Sequence, residues 1–173
     1  LRLLVPYIYN LFFYELRTIQ KLGYVVTTQE INLNSLKKNQ FAVNFKIQSS
    51  NYSTKELKKK IEYFIKNNLK QKINKLEINE FIQQKLGLYS ELCEPEKNTS
   101  ERLVLIFRNI CRKQKNQKVM FDYNDQLKDA LIGDNKADLE NSGITIKDIQ
   151  NTFNEKFINN PIIFCFNIER YKN

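Results

Sequence analysis

The 173-residue sequence contains no histidine and no tryptophan. Without imidazole the commonest transition-metal ligand and general base is missing, so an H-x-x-E-H zinc pattern and any Ser-His or Cys-His nucleophile pair are excluded within the chain. The three cysteines, Cys93, Cys111 and Cys165, stand far apart with no C-x-x-C pair. That spacing builds neither a disulfide framework nor a zinc knuckle; it favours a reducing compartment and reads Cys165 as a buried thiol in an apolar strand. Glycine is scarce, and Gly23, Gly87, Gly133 and Gly143 lie too far apart to assemble a phosphate-binding loop. No apolar run approaches the ~18 to 20 residues of a membrane span. The stretch from Leu1 to Phe13, broken by Pro6, Tyr7 and Asn10, reads as a core helix and lacks the basic start and small-residue cleavage site of a signal peptide. The only methionine is Met120, and the sequence opens inside an amphipathic pattern, so we expect a piece of a longer polypeptide. The absence of a leader then says nothing about targeting.

Charge is what the chain has in excess. Lys and Arg number 28 against 19 Asp and Glu, a formal net charge of +9. A basic balance invites a nucleic-acid reading. Lysine supplies most of it, however, whereas base and phosphate recognition favours the bidentate guanidinium. Lys55, Lys58, Lys59, Lys60, Lys66, Lys70 and Lys72 fall on a helical pattern where a solvated face is the ordinary explanation, so no nucleic acid is expected. The acidic groups Glu91, Glu94, Glu96 and Asp134, Asp138, Glu140 lack calcium-loop spacing and read as solvated carboxylates. Two Asn-x-Ser patterns, at Asn51 and Asn98, carry little weight in so Asn-rich a chain.

Periodicity divides the chain into long blocks. Leu3, Leu4, Tyr7, Ile8 and Leu11 recur at helical spacing, and Tyr24 to Ile31 reads as a strand after Gly23, a residue suited to the positive φ of a helix terminus. Phe41, Val43, Phe45 and Ile47 alternate with Ala42, Asn44, Lys46 and Gln48 as a second strand, paired antiparallel with the first. Ser53 and Glu56 form a capping box ahead of a helix to about Asn74, with Leu57, Ile61, Phe64, Ile65 and Leu69 on its apolar stripe. A helix over Ile78 to Leu86 follows, then a Pro95 loop. Thr99 or Ser100 caps the next helix, with the stripe Leu103, Ile106, Phe107, Ile110, Cys111 and a basic end over Arg112 to Lys118. Tyr123 to Ile132 reads as a helix, Gly133 to Gly143 as a mobile polar loop, and Ile146 to Phe157 as a helix capped by Thr145. Ile162, Phe164, Phe166 and Ile168 alternate as a final strand. The pattern is α+β, with helices packed on an antiparallel sheet, and 1–173 reads as a single domain.

The block that organises the rest is Phe12 to Val26. Phe13, Leu16, Arg17, Thr18, Leu22, Gly23, Tyr24 and Val26 fit the phrase F-x2-L-R-T-x3-L-G-Y-x-V. The phrase resembles one in the C-terminal half of insulysin-like M16 metallopeptidases, the family of insulin-degrading enzyme, pitrilysin and nardilysin. Weaker similarity runs through Phe41 to Ser50, Glu80-Phe81, Phe121-Asp122 and Ile144 to Phe153. The family usually has Gln before L-G-Y; here that place is Lys21, with Gln20 one place earlier.

The resemblance implies an M16 peptidase-like αβ roll, here N-terminally incomplete, and a loop at 133–143 longer than usual. It implies a non-catalytic C-terminal domain of a zinc metalloendopeptidase that cleaves peptides in a closed chamber. The zinc, and the glutamate base beside it, would belong to the N-terminal catalytic half of the parent protein. Arg17 and Tyr24 would reach the peptide substrate near the cleaved bond. The expected partners are the peptide and that catalytic half, or a homologous subunit, in a cytoplasmic or mitochondrial setting. A catalytically silent M16-like scaffold subunit of a larger assembly is the alternative, and a basic nucleic-acid-binding module a third reading. An upstream H-x-x-E-H motif, or its degeneration, separates the first two.

Overall fold

The computed structural model describes residues 1–32, 41–111, 123–134 and 138–168. In chain order, α1 is Leu4–Phe12, continued by a π-helical turn over Phe13–Ile19; β1 is Val25–Asn32 and β2 is Phe41–Gln48. Next come α2 (Thr54–Tyr63), a π-helical turn over Phe64–Leu69, α3 (Lys70–Asn74), α4 (Ile78–Cys93) and α5 (Thr99–Cys111). The described chain closes with α6 (Tyr123–Ile132), α7 (Ile146–Phe153) and a third π-helical turn over Asn154–Asn159. The strands β1 and β2 form a two-stranded antiparallel sheet, so the class is α+β with helices and an antiparallel pair. No described helix is long and apolar enough to cross a membrane.

Two compact units emerge from the packing: one of Leu1–Leu3, Glu30–Ala42 and Glu77–Ile146, the other of Leu4–Gln29, Val43–Leu76 and Lys147–Asn173. The second unit holds the larger core. Leu4, Tyr7, Ile8 and Phe12 fall on one stripe of α1 and are buried together with Leu57, Phe64, Leu69, Ile73 and Phe153. Val26 of β1 joins them, and Phe45 and Ile47 of β2 pack against them half-buried. The ring of Phe12 is the hub: it meets Phe45 at 5.2 Å and Phe64 at 5.3 Å, both edge to face, the geometry that aromatic quadrupoles favour. Gln150 of α7 donates from Nε2 to the carbonyls of Ile73 and Asn74, each at 3.2 Å, and so ties α7 to the end of α3.

The three π-helical turns all lie in this unit and widen the helices by one residue per turn. Phe64 and Leu69, both buried, are five residues apart, a step an α-helix cannot keep on one face. Beside the widened turn the side chain of Asn67 donates to the Tyr63 carbonyl at 3.1 Å.

The capping box at the start of α2 is present as expected. Ser53 N–H donates to Glu56 Oε2 at 2.9 Å, and Glu56 N–H to Ser53 Oγ at 3.4 Å. These bonds hold the Glu56 carboxyl below its usual value, the backbone bond to Ser53 contributing most. A carboxylate with a depressed folded-state pKa contributes stability above its unfolded value, about 4.3, and loses it as pH falls through the lower folded value. In a pH titration by NMR the Ser53 and Glu56 amides should therefore shift together, with a midpoint below pH ~4.3. A midpoint at or above that value would dissolve the box.

The first unit departs further from expectation. α4 runs through Gly87 to Cys93, seven residues past the predicted end at Leu86, because nothing crowds that glycine and the apolar stripe continues to the buried Leu92. The cap of α5 is Asn98: its Oδ1 accepts from Glu101 N–H at 2.9 Å, where Thr99 or Ser100 was predicted. On the α5 stripe Leu103 and Phe107 are exposed and Ile106 is half-buried. Arg112 to Lys118 lies outside the described residues.

The loop after α6 is pinned where it is described. Lys85 of α4, with no solvent exposure, donates from Nζ to the carbonyls of Leu139 (2.9 Å), Ser142 (2.6 Å) and Ile144 (2.9 Å). Burial draws this ammonium below the ordinary lysine value and the nearby Asp138 draws it back. Gly133 and Gly143 supply the left-handed backbone, at φ 69° and 66°, that lets the chain turn here.

The final strand is not formed. Residues 161–168 have no regular secondary structure, and Phe166 is 88% exposed. Cys165 is exposed as well, against the expected buried thiol, because no second strand or helix face covers the segment.

Candidate functional site

The phrase from Phe13 to Val26 folds as the end of α1, its π-helical turn and the start of β1. Leu22 N–H closes the turn by donating to Leu16 O at 2.9 Å, six residues back, and Gln20 N–H donates to Glu15 O at 2.9 Å, five back. The left-handed residue of this terminus is Lys21, at φ 51°, not Gly23 as the sequence suggested. Gly23 is required for another reason. A Cβ there would stand 2.3 Å from the backbone oxygen of Gln48, so only glycine lets β1 start this close to the end of β2. Tyr24 N–H then donates to that same oxygen at 2.9 Å.

This close approach sets the two predicted site residues side by side. Arg17, half-buried, donates from Nη1 to the carbonyl of Gly23, and its guanidinium lies 5.9 Å from the centre of the Tyr24 ring. Such a cation over an aromatic face is attracted to it. Tyr24 is 78% exposed, far more than a tyrosine that serves packing. Both border a groove of about 580 Å3, whose other lining residues are Phe13, Thr18, Lys21, Leu22, Gly23 and the turn Ser49, Ser50, Asn51. The turn is internally bonded: Asn51 N–H donates to Ser49 Oγ at 3.2 Å, and Ser50 Oγ to Asn51 Oδ1 at 3.0 Å.

Chemically the groove is a set of donors on a rigid frame. One guanidinium, one ammonium, a phenol and several hydroxyls line it, with no carboxylate among them. It contrasts with a groove of about 540 Å3 in the first unit, where Glu91, Glu94, Glu96 and Glu101 outnumber Arg2 and Lys97 and where Arg2 pairs with Glu91 at 3.9 Å. Sequence reasoning placed Arg17 and Tyr24 but missed the Ser49–Asn51 rim. The signal was there as a polar turn between strand and capping box. Gln20 donates from Nε2 to Glu15 Oε1 at 3.0 Å and does not line the groove, whereas Lys21 does.

A family model described as "PQQ synthase PqqF-like, C-terminal lobe domain 4" matches residues 3–106. The chain belongs to that family. It is thus an M16 peptidase C-terminal domain. Among solved structures the chain is similar to one titled "Crystal Structure of pitrilysin", with a TM-score of 0.67 and 20% identity over 89% of this chain. It spans only 14% of the pitrilysin chain, and at this identity the likeness establishes the fold. The comparison with curated protein sequences found no match.

The sequence has no histidine, and among the described residues no three His, Cys, Asp or Glu side chains come together.

Proposed function

We propose that this M16 domain is the substrate-side, non-catalytic part of a zinc metalloendopeptidase, and that Arg17 and Tyr24 hold the peptide. The zinc and the base belong on this reading to the catalytic half of the parent protein, which is the domain's partner. The observation that carries it is the exposed Tyr24 beside Arg17, at the mouth of an open groove lined by donors, in a chain of this family. A guanidinium and a phenol donate to peptide carbonyls, and donors aimed where negative charge develops lower the barrier to cleavage. Arg17 has one N–H committed to Gly23 and retains others.

In the whole protein, Tyr24→Phe keeps the ring and its contact with Arg17 but removes the hydroxyl. Loss of one such donor costs about 2 to 4 kcal/mol, roughly 30-fold to 1,000-fold in turnover. Arg17→Lys keeps the charge and loses the planar fork, so turnover falls and peptide binding weakens. Measuring kcat and KM on one short peptide decides the matter. Near-normal values for both variants remove these residues from the site.

A further inference from the structure

We infer that Lys21 makes this groove selective for a carboxylate on the bound peptide, a reading that rests on the peptide-binding role proposed for Arg17 and Tyr24. Four observations lead there. Lys21 and Arg17 are both among the groove's lining residues, which include no Asp or Glu. No hydrogen bond or ion pair joins Lys21 to any described residue, and its side chain is exposed. The nearest carboxylate in sequence, Glu15, is engaged by Gln20 and does not line the groove. Lys21 also holds a left-handed backbone at φ 51°, a conformation that costs a non-glycine residue free energy and fixes where its side chain departs.

The charge of the lining is therefore two cations against none of the opposite sign, set beside hydroxyls that hydrogen-bond anions. A neutral peptide leaves Lys21 unpaired there. A carboxylate that enters beside Arg17 takes both cations as partners, and the remaining N–H donors of Arg17 suit its two oxygens. The shared chemistry is the carboxylate itself, which an acidic side chain or the peptide's own C-terminus supplies equally well.

The test uses the whole protein with a chelator present, so that no peptide is consumed, and reads binding by fluorescence anisotropy. The probes are alanine-rich decapeptides with one Glu or one Gln at successive positions, each with a free or an amidated C-terminus. At one position or at the terminus the acidic form should bind about fivefold tighter, the scale of a single exposed ion pair. Lys21→Gln should reduce that ratio, and added salt should shrink it in the wild type. If only amidation matters, the ligand is the C-terminal carboxylate; if only Glu matters, it is an acidic side chain. Equal binding of acidic and neutral peptides by the wild type, or a ratio that Lys21→Gln leaves undiminished, overturns the inference. The two readings fail separately. Tyr24→Phe and Arg17→Lys that bind every peptide normally and turn it over normally sink the peptide-holding role, whereas an unchanged Lys21→Gln ratio sinks only the selectivity.

Discussion

Lys85→Met is expected to destabilise this chain by about 3 kcal/mol or more, because three part-buried carbonyls lose their charged donor at once. The three carbonyls of Leu139, Ser142 and Ile144 each take one hydrogen from the same ammonium, and only the protonated amine has three to give. Methionine fills the volume of the alkyl stem and supplies none of them. Each buried carbonyl left without a donor costs about 1 to 3 kcal/mol unless it turns toward water. Turning means undoing the bonds of the same stretch, including Ser142 N–H to Asp138 O at 3.0 Å and Ile144 N–H to Ala130 O at 3.1 Å. The measurement is urea unfolding joined to hydrogen exchange at the Ser142 and Ile144 amides. Exchange there should quicken ahead of the α1 amides. A change within about 0.5 kcal/mol, the range of an ordinary surface substitution, would show that the three bonds do not hold the loop. Lys85→Arg is not a rescue, because a flat guanidinium cannot aim at three acceptors grouped around a point.

Gly23→Val should do comparable harm and take peptide binding with it. A side chain at residue 23 meets Gln48 O at 2.3 Å, Gln48 C at 3.0 Å and Ile47 Cγ2 at 3.1 Å. Two of those atoms are backbone in β2 and cannot swing aside. Overpacking costs about 1 to 3 kcal/mol where side chains can adjust, and more where the neighbour is main chain. Relief requires β1 to move away from β2, which breaks the bond from Tyr24 N–H to Gln48 O and carries off the carbonyl that anchors Arg17. The thermal midpoint and peptide affinity should fall together. Gly87→Ala is the built-in comparison: with nothing within 4 Å of the added carbon and a helical backbone, it should stabilise by about 0.5 to 1 kcal/mol. Equal effects at the two glycines would mean that closeness to β2 is not what residue 23 is for.

How much of this was legible in the sequence depended on where the cause lay. Elements whose signals are local were readable: the alternation of Phe41 to Gln48, the Ser53 and Glu56 box, and the stripe of α1 all reappear in the fold. The nearness of Arg17 and Tyr24 was readable too, from a helix end and a strand start joined by a short turn. What could not be read depends on atoms far along the chain. Gly23 looked like a helix cap because its neighbours are helical, but its reason is Gln48, 25 positions on. Nothing local marks Lys85 out, since the carbonyls that hold it lie 54 to 59 residues away. The alternating Ile162 to Ile168 has the pattern of a strand, yet period two records only which way side chains point, not whether a partner is there to pair with.

The π-helical turn over Phe13–Ile19 makes the length of this stretch as much a part of the groove as its residue types. Each residue along a helix rotates the next by about 100°. A relative one residue shorter between Phe12 and Gly23 would straighten the turn into ordinary helix and swing its arginine about a quarter of the way round the axis, away from the Gly23 carbonyl. Matching letters in such a sequence would then describe a different surface. Among related chains, an ungapped alignment over these positions is the mark of a shared groove, and a single gap there is reason to treat a conserved arginine as a different residue in space.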